Sequence, residues 1–582
     1  MNERGLALNM PPSFLFCTPK IYTMRFPLIF LCLATAITFY SSAQNEVTQL
    51  DNLRHHVYAL ADDSLGGRPT GKQGEMMAAN YIVRNFEEIG IEPYGADNSF
   101  LQPFEFFSHK KPVGANNLRF GSQKLAMKTG YFPLPNSGNG KIEGLLADVN
   151  YGIHAPDLEH DDYKGKTDLE GKIFLMKWAS PDGDDFHSDF TKYSDATTKV
   201  DGAIERGAIG VIFYNPFESV KSPKMDLTKK VAESDIPVIF LNAAKTVSIL
   251  KKDKNTTISL NVNLEKVNLT GHNVIGFLNN KAKRTIVIGG HYDHLGHGES
   301  GGTLHRGKPD IHNGADDNAS GIALIIEAAR SLKAGKATKN NYLFIAFSGE
   351  ELGLYGSNHY CKNPTVKISS TNYMLNYDMV GRLDTTDMAL AINGAGTSPA
   401  WQNAFAKIDS EFKIKTSESG IGPSDHTSFY LQDIPAVHFF TGSHNDYHKP
   451  GDDADKVNYE GIQMILTYTL NLIELLNDKG KLKFTKTKEE EKDAVPRFTV
   501  TLGVVPDYMY DGDGMRIDGV TDGKTASKAG IKAGDVVIKM GDLVVKDMMS
   551  YMKGLSLFTS GDETIVVVQR GEKEISFEVK FQ

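Results

Sequence analysis

The chain has 582 residues, 40% of them hydrophobic and 23% charged, with a formal net charge of −9. That length exceeds one hydrophobic core and predicts about three domains. The composition excludes a disordered chain, and the acidic balance excludes nucleic acid as a partner. In chain order, residues 1–43 read as a pre-sequence and signal peptide. Met24-Arg25 precedes an apolar run over 26–39 and the small residues Ser41-Ser42-Ala43, the charged, apolar, small-residue order of an export signal. The run is too short to span a bilayer, and residues 1–23 fit no part of that plan. Met24 is therefore the expected start, and a periplasmic or extracellular protein with no membrane anchor in its mature chain is expected. Of three cysteines only Cys361 follows this segment, so no intramolecular disulfide is expected.

After a turn-rich segment, Leu65-Gly66-Gly67-Arg68-Pro69, residues 76–89 show helical spacing, with Ala78, Tyr81, Ile82 and Phe86 forming a stripe. From 113 to 265 the composition shifts to β-type runs at 172–178, 210–214, 236–241 and 256–263, with a short helix at 197–206. Further β-type runs at 285–290, 342–348, 374–377 and 434–440 follow, with a helix predicted over 319–332. This is the alternation of an α/β fold with a mostly parallel central sheet flanked by helices. Residues 481–495 read as a charged linker, and folded periodicity resumes over 496–582.

Chemistry-bearing residues gather where those later runs stop. They are His291-Tyr292-Asp293-His294, Asp316-Asp317, Glu350-Glu351, Asp378 and Asp446-Tyr447-His448. The carboxyl ends of parallel strands are where open α/β sheets build sites. Imidazole and carboxylate suit zinc, a carboxylate can bridge two ions that share one activated water, and one carboxylate must stay off the metals to move a proton. The Glu350-Glu351 doublet offers one residue to bind metal and a neighbour, pointing elsewhere, to face the substrate and move the proton. His294, His297, His305 and His312 exceed what such a site needs. Their glycine-rich surroundings read as a surface loop rather than a third metal site, and His438 and His444 read as packing or substrate-facing residues.

This set resembles the co-catalytic di-zinc aminopeptidases of metallopeptidase family twenty-eight, over residues 44–112 and 266–480. The resemblance implies two Zn²⁺ per chain: His291, Asp317 and Asp378 on one, and Asp317, Glu351 and His448 on the other, with Asp317 the bridge. It implies Glu350 as general base, Asp293 as the carboxylate steadying His291, Tyr447 as a phenol near the substrate carbonyl, and Ser424-Asp425-His426 as supporting rather than ligating. The implied activity is removal of amino-terminal residues from peptide substrates by a zinc-bridged hydroxide. A glutaminyl cyclase, a carboxypeptidase of the same superfamily, or a non-enzymatic scaffold are the alternatives.

Within 113–265, Gly171-Lys172-Ile173-Phe174-Leu175 and the run from Gly207 to Asn215 resemble a protease-associated domain, an insert that would shape substrate access or serve only as a lid. Ala526-Ser527-Lys528-Ala529-Gly530-Ile531-Lys532-Ala533-Gly534-Asp535 resembles a corner of a bacterial PDZ domain. That likeness implies a carboxyl-terminal peptide ligand at Thr501-Leu502-Gly503-Val504, held by strand addition.

Overall fold

A computed structural model of the chain describes residues 47–183, 188–242, 256–298, 301–305, 307–487, 500–507, 510, 512–520, 523–546, 548–558 and 561–581. The expected signal peptide, and the expected linker from 488 onward, lie outside the described residues. Among the described residues no helix is long and apolar enough to cross a membrane.

A nine-stranded sheet organises the larger α/β region. Its strands are β1 (Leu101–Pro112), β2 (Leu264–Leu278), β3 (Thr285–His291), β4 (Asn341–Phe347), β5 (Thr371–Tyr377), β6 (Ala389–Asn393), β7 (Lys413–Ser417) and β8 (Ala436–Phe440), besides a two-residue strand at Glu92–Pro93. Their order is β2-β4-β3-β5-β8-β6-β7, with β1 paired to β2. The four central strands β4, β3, β5 and β8 run parallel. Every residue of those four is buried, which is why they read as apolar runs rather than as alternating strands. Truncating one such Ile or Leu to Ala costs about 2–5 kcal/mol. The edge strand β7 carries Lys413, Lys415 and Ser417 and is largely exposed.

Helices cover both faces of this sheet. Helix α1 (Gln73–Ile89) buries Ala78, Ala79, Ile82 and Phe86 and stops at Gly90, whose left-handed φ of 80° lets its N–H cap Glu87 and Phe86. Helix α2 (Gly321–Ala334) carries Ile322, Leu324, Ile325 and Ile326 on several faces and is correspondingly buried. It starts two residues later than its periodicity predicts, because one wide turn over Ala315–Ser320 comes first, in which Asp317 and Asn318 leave helical dihedrals. Helix α3 (Tyr459–Leu476) is capped by the Asn458 side chain, which accepts from the Gly461 N–H.

The 113–265 segment leaves from β1 and returns through β2. It has its own five-stranded sheet, in which Leu146–Asp148, Ile173–Lys177, Gly210–Tyr214 and Val238–Leu241 run parallel and Tyr131–Pro133 closes one edge. A smaller antiparallel sheet includes Asn117–Phe120 and Ile258–Val262. The last region, from residue 500, forms a separate antiparallel sheet around Leu502, Ile517, Val537, Val566 and Val568.

The charged stretch expected as a linker behaves differently at its start. Through Thr487 it is docked on the core: Leu482 N–H donates to Asn372, Thr485 N–H to the Thr397 carbonyl, and Phe484 lies against the Tyr430 ring. The Lys-rich composition masks two apolar side chains, Leu482 and Phe484, that alternate with the lysines and find a surface.

Candidate metal centre and active site

Chain order reverses at β3, with β4 on one side and β5 on the other, and ligands bind at such a switch point, beyond the strands' carboxyl ends. His291 is the last residue of β3, Glu350 and Glu351 follow β4, and Asp378 follows β5. The loop after β8 brings His448, and the wide turn before α2 brings Asp317. Two groups form there, each with ligand atoms within 4.8 Å of one another: His291, Asp317 and Asp378, and His294, Asp317 and Glu351. His448 joins the second, its Nε2 being 3.2 Å from Asp317 Oδ2 and 3.3 Å from Glu351 Oε2. In the first, His291 Nε2 stands 3.3 Å from Asp317 Oδ1 and 3.2 Å from Asp378 Oδ1. Asp317 thus offers one oxygen to each group. Glu350 stays outside both, with Oε2 3.9 Å from His291 Nε2.

Charge explains the mutual hold of these groups. Burial alone would drive His291 toward neutrality, but Asp378, Glu350 and Asp317 outweigh it and hold its pKa well above the ordinary value. Burial acts on Asp317 in the opposite sense, and His294, His291 and His448 overcome it, keeping the carboxyl well below its usual range. Glu350 differs: burial pushes it well above, His291 opposes, and Asp378 and Glu351 add to the rise. Asp425 contributes no oxygen to either group; it is fully buried, and burial raises it to about 7.

Asp293 meets His291 with both its backbone and its carboxylate. His291 Nδ1 is 3.1 Å from the main-chain oxygen of Asp293, and the carboxylate is farther, at 3.7 Å. The carboxylate also accepts from the Thr70 hydroxyl at 2.9 Å and from the Glu350 N–H at 3.2 Å. The sharp return of the chain after His291 turns the Asp293 carbonyl toward the ring, so this one residue orients His291 by its backbone and Glu350 by its side chain. Tyr447 lies on the cavity wall, with its ring stacked on His448 at 3.9 Å. Met379 and Phe440 share that wall, with Asn393, Pro423, His438 and Ser443 completing it.

Three residues at the site escape the sequence reading. His294 reaches Glu351, with Nδ1 2.7 Å from Oε1; its position three residues after His291 was a visible signal, lost among neighbouring histidines. Asp452 accepts from the N–H groups of Asp316 and Asp317, at 2.9 and 3.1 Å, and so fixes the backbone under the shared carboxylate. Arg68, 1% exposed, donates to the carbonyls of Tyr292, Leu60, Asn313 and Gly314. It thereby ties the His291 loop to the Asp317 turn. Burial lowers its pKa to about 10, against the pull of Asp317, Asp293, Asp452 and Glu351, so it stays charged. Beside it, Gly67 has φ 72°, and a Cβ there would lie 2.6 Å from the His312 carbonyl oxygen, which accounts for the glycine in that motif.

Known proteins agree with this organisation. The description "Peptidase family M28" matches residues 273–473, "PA domain" matches 140–249, and "PDZ domain" matches 485–581. Aminopeptidase YwaD of Bacillus subtilis is 28% identical over 310 residues, covering 51% of this chain and 60% of that protein. A probable lipoprotein aminopeptidase, LpqL of Mycobacterium tuberculosis, is 23% identical, covering 66% of this chain and 71% of its own length. Among solved structures, an aminopeptidase from Aneurinibacillus sp. strain AM-1 is 24% identical, covering 76% of this chain and 96% of that one, with a TM-score of 0.41. The match to YwaD therefore spans under two thirds of that relative. The region built on β3, β4, β5 and β8 belongs to peptidase family M28, in a chain that also carries a PA domain and a PDZ domain.

Proposed function

We propose that this chain is a di-zinc aminopeptidase acting on peptides with a free amino terminus. The observation that carries the reading is the pair of ligand groups sharing Asp317. Zinc bonds of about 2.0–2.2 Å in a tetrahedron place neighbouring donor atoms about 3.3–3.6 Å apart. The four separations that join His291 to Asp317 and Asp378, and His448 to Asp317 and Glu351, are 3.2–3.3 Å. The donor set therefore fits two zinc ions, with His291, Asp317 and Asp378 holding one and Asp317, Glu351 and His448 the other. When bound, such a pair supplies an activated water and polarises a carbonyl.

The rest falls to side chains. Glu350, off both groups and held by its N–H on Asp293, takes the proton of the attacking water and passes it to the leaving amine. Tyr447 donates its hydroxyl toward the substrate carbonyl oxygen. Met379 and Phe440 exclude water from the side of the amino-terminal residue. The zinc-reconstituted chain should release amino-terminal residues from free peptides and aminoacyl chromogenic substrates, and leave amino-blocked peptides intact. Release from the carboxyl end, or cyclisation of amino-terminal glutamine without hydrolysis, would replace this reading with one of its rivals.

Export follows in the same proposal from the charged, apolar, small-residue order at 24–43, and amino-terminal sequencing of the protein recovered outside the cytoplasm tests it. The PDZ domain's Leu502-Gly503 loop precedes the strand Val504–Pro506, which supports capture of a peptide carboxyl terminus by strand addition.

A further inference from the structure

We propose that His294 is a positioning residue that holds Glu351 as a one-oxygen ligand of the second zinc ion; the inference rests on the di-zinc reading above. Its basis is a difference in distance. The His448 Nε2 separations from Glu351 Oε2 and Asp317 Oδ2 are 3.3 and 3.2 Å, the spacing of atoms that share an ion. The His294 Nδ1 to Glu351 Oε1 separation is 2.7 Å, too short for two ligands of one zinc and right for an N–H donating to a carboxylate. From Asp317 Oδ2 the same nitrogen is 3.8 Å away, beyond hydrogen-bond reach. His294 therefore occupies one Glu351 oxygen and leaves the other for the metal.

The ring has little freedom to do anything else. Its side chain is fully buried, and its backbone N–H donates to the Arg68 carbonyl at 3.2 Å. It lies close against Gly314, where a Cβ would sit 2.6 Å from ring atoms Cγ and Cδ2. Among the described residues Nε2 has no hydrogen-bond partner, so Nδ1 is the nitrogen the protein uses. A carboxylate free to rotate can chelate a cation with both oxygens. Locked by His294, Glu351 contributes one, and a coordination position at the second ion stays open for water or substrate. Outer partners of this kind govern metal affinity by about 10–100-fold.

The experiment compares His294→Leu with His294→Asn in the full chain, since the Asn amide can place an N–H near the position of Nδ1. Each is titrated with zinc against a chromogenic chelator, and its zinc coordination is read by X-ray absorption. In His294→Leu one equivalent should bind as in the wild type and the other about 10–100-fold more weakly. In His294→Asn the second equivalent should recover most of its affinity. The absorption spectra of wild type and Asn variant should both show an average of one imidazole per zinc, from His291 and His448. Unchanged zinc affinity in the Leu variant would overturn the proposal. So would equal weakening of both equivalents with a lower melting temperature of the zinc-free protein, which would make the ring a packing element. A higher imidazole count in the wild type, or no recovery in the Asn variant, would make His294 a ligand instead. A wild-type chain that binds fewer than two equivalents fails the di-zinc reading itself, a result separable from all of these.

Discussion

The peptidase region and the PA insert both contain parallel strands with helix packed against them, yet they treat buried charge in opposite ways. Among the described residues of the insert, the buried charged groups Lys199 and Asp162 are satisfied mainly by the backbone. Lys199, 2% exposed, donates to the carbonyls of Lys177 and Ala179. Asp162 accepts from the N–H groups of Tyr151 and Ile153, with Asn150 and His160 beside it. In the peptidase region, Asp317, Glu350, Glu351, Asp378 and Asp425 crowd one strand edge, with imidazoles and Arg68 as counter-charges. A layered α/β architecture hosts either arrangement. What marks a site is carboxylates brought together at a cost that backbone donors cannot offset.

Substitutions can break that comparison from either side. The largest effect should come from Asp317→Ala, since one carboxylate serves both ligand groups. It should abolish paired metal binding, lower thermal stability because metal binding contributes to folding, and leave activity below that of any single-ligand variant. Metal analysis with calorimetry checks this, and two retained metals with full activity would remove the shared role. Next, Glu350→Gln should keep both metals and lower turnover by about 10²–10⁴. Lost metal in that variant would make Glu350 a ligand.

The insert side predicts a smaller, pH-dependent effect. Burial lowers Lys199 to about 7, with Asp162 and Asp195 opposing. A folded pKa below the unfolded one means that between about pH 7 and 10 the unfolded chain binds the extra proton. Stability therefore rises with pH across that window, and the full penalty is present below it. The insert's thermal midpoint, followed by calorimetry, should climb with pH in the wild type. In Lys199→Met the climb should flatten, and an identical slope in both would assign the effect elsewhere. The smallest effect is expected from removing residues 488–582: turnover of aminoacyl chromogenic substrates should change by less than about threefold, an outcome within the scatter of surface changes. Cutting before Leu482 instead should lower stability, because that segment is docked on the core.

The sequence shows most of this where local pattern and tertiary outcome coincide. Strands β3, β4, β5 and β8 were readable because central parallel strands are buried on both faces and mostly apolar, and His291, Glu350, Glu351 and Asp378 were readable because they follow such runs directly. The missing parts depend on geometry with no local signature. Arg68 reads as a loop residue, and only the fold brings four carbonyls around its guanidinium. Asp293 carries the expected side chain, but its backbone oxygen faces His291. His294 differs from His297 and His305 in nothing but where the chain turns after β3. Docking of 481–487 was hidden by lysines whose stems and charges remain outside while Leu482 and Phe484 turn inward.

The long ribbon of β1 and β2 has a consequence for how this protein acquired its parts. The two strands stay paired from Leu101 opposite Val274 out to Pro112 opposite Leu264, with one irregularity at Val267 and Asn268, and the Val113 N–H still donates to Asn263 beyond that. The PA domain therefore occupies the place of a hairpin loop, its entry and exit side by side, about 5 Å apart. An insertion at such a point leaves the order, direction and crossovers of every neighbouring strand untouched, so ancestors could gain or shed the whole module in one genetic event. A two-residue Asn-Gly turn joining the strand ends would restore the plain hairpin in the same register.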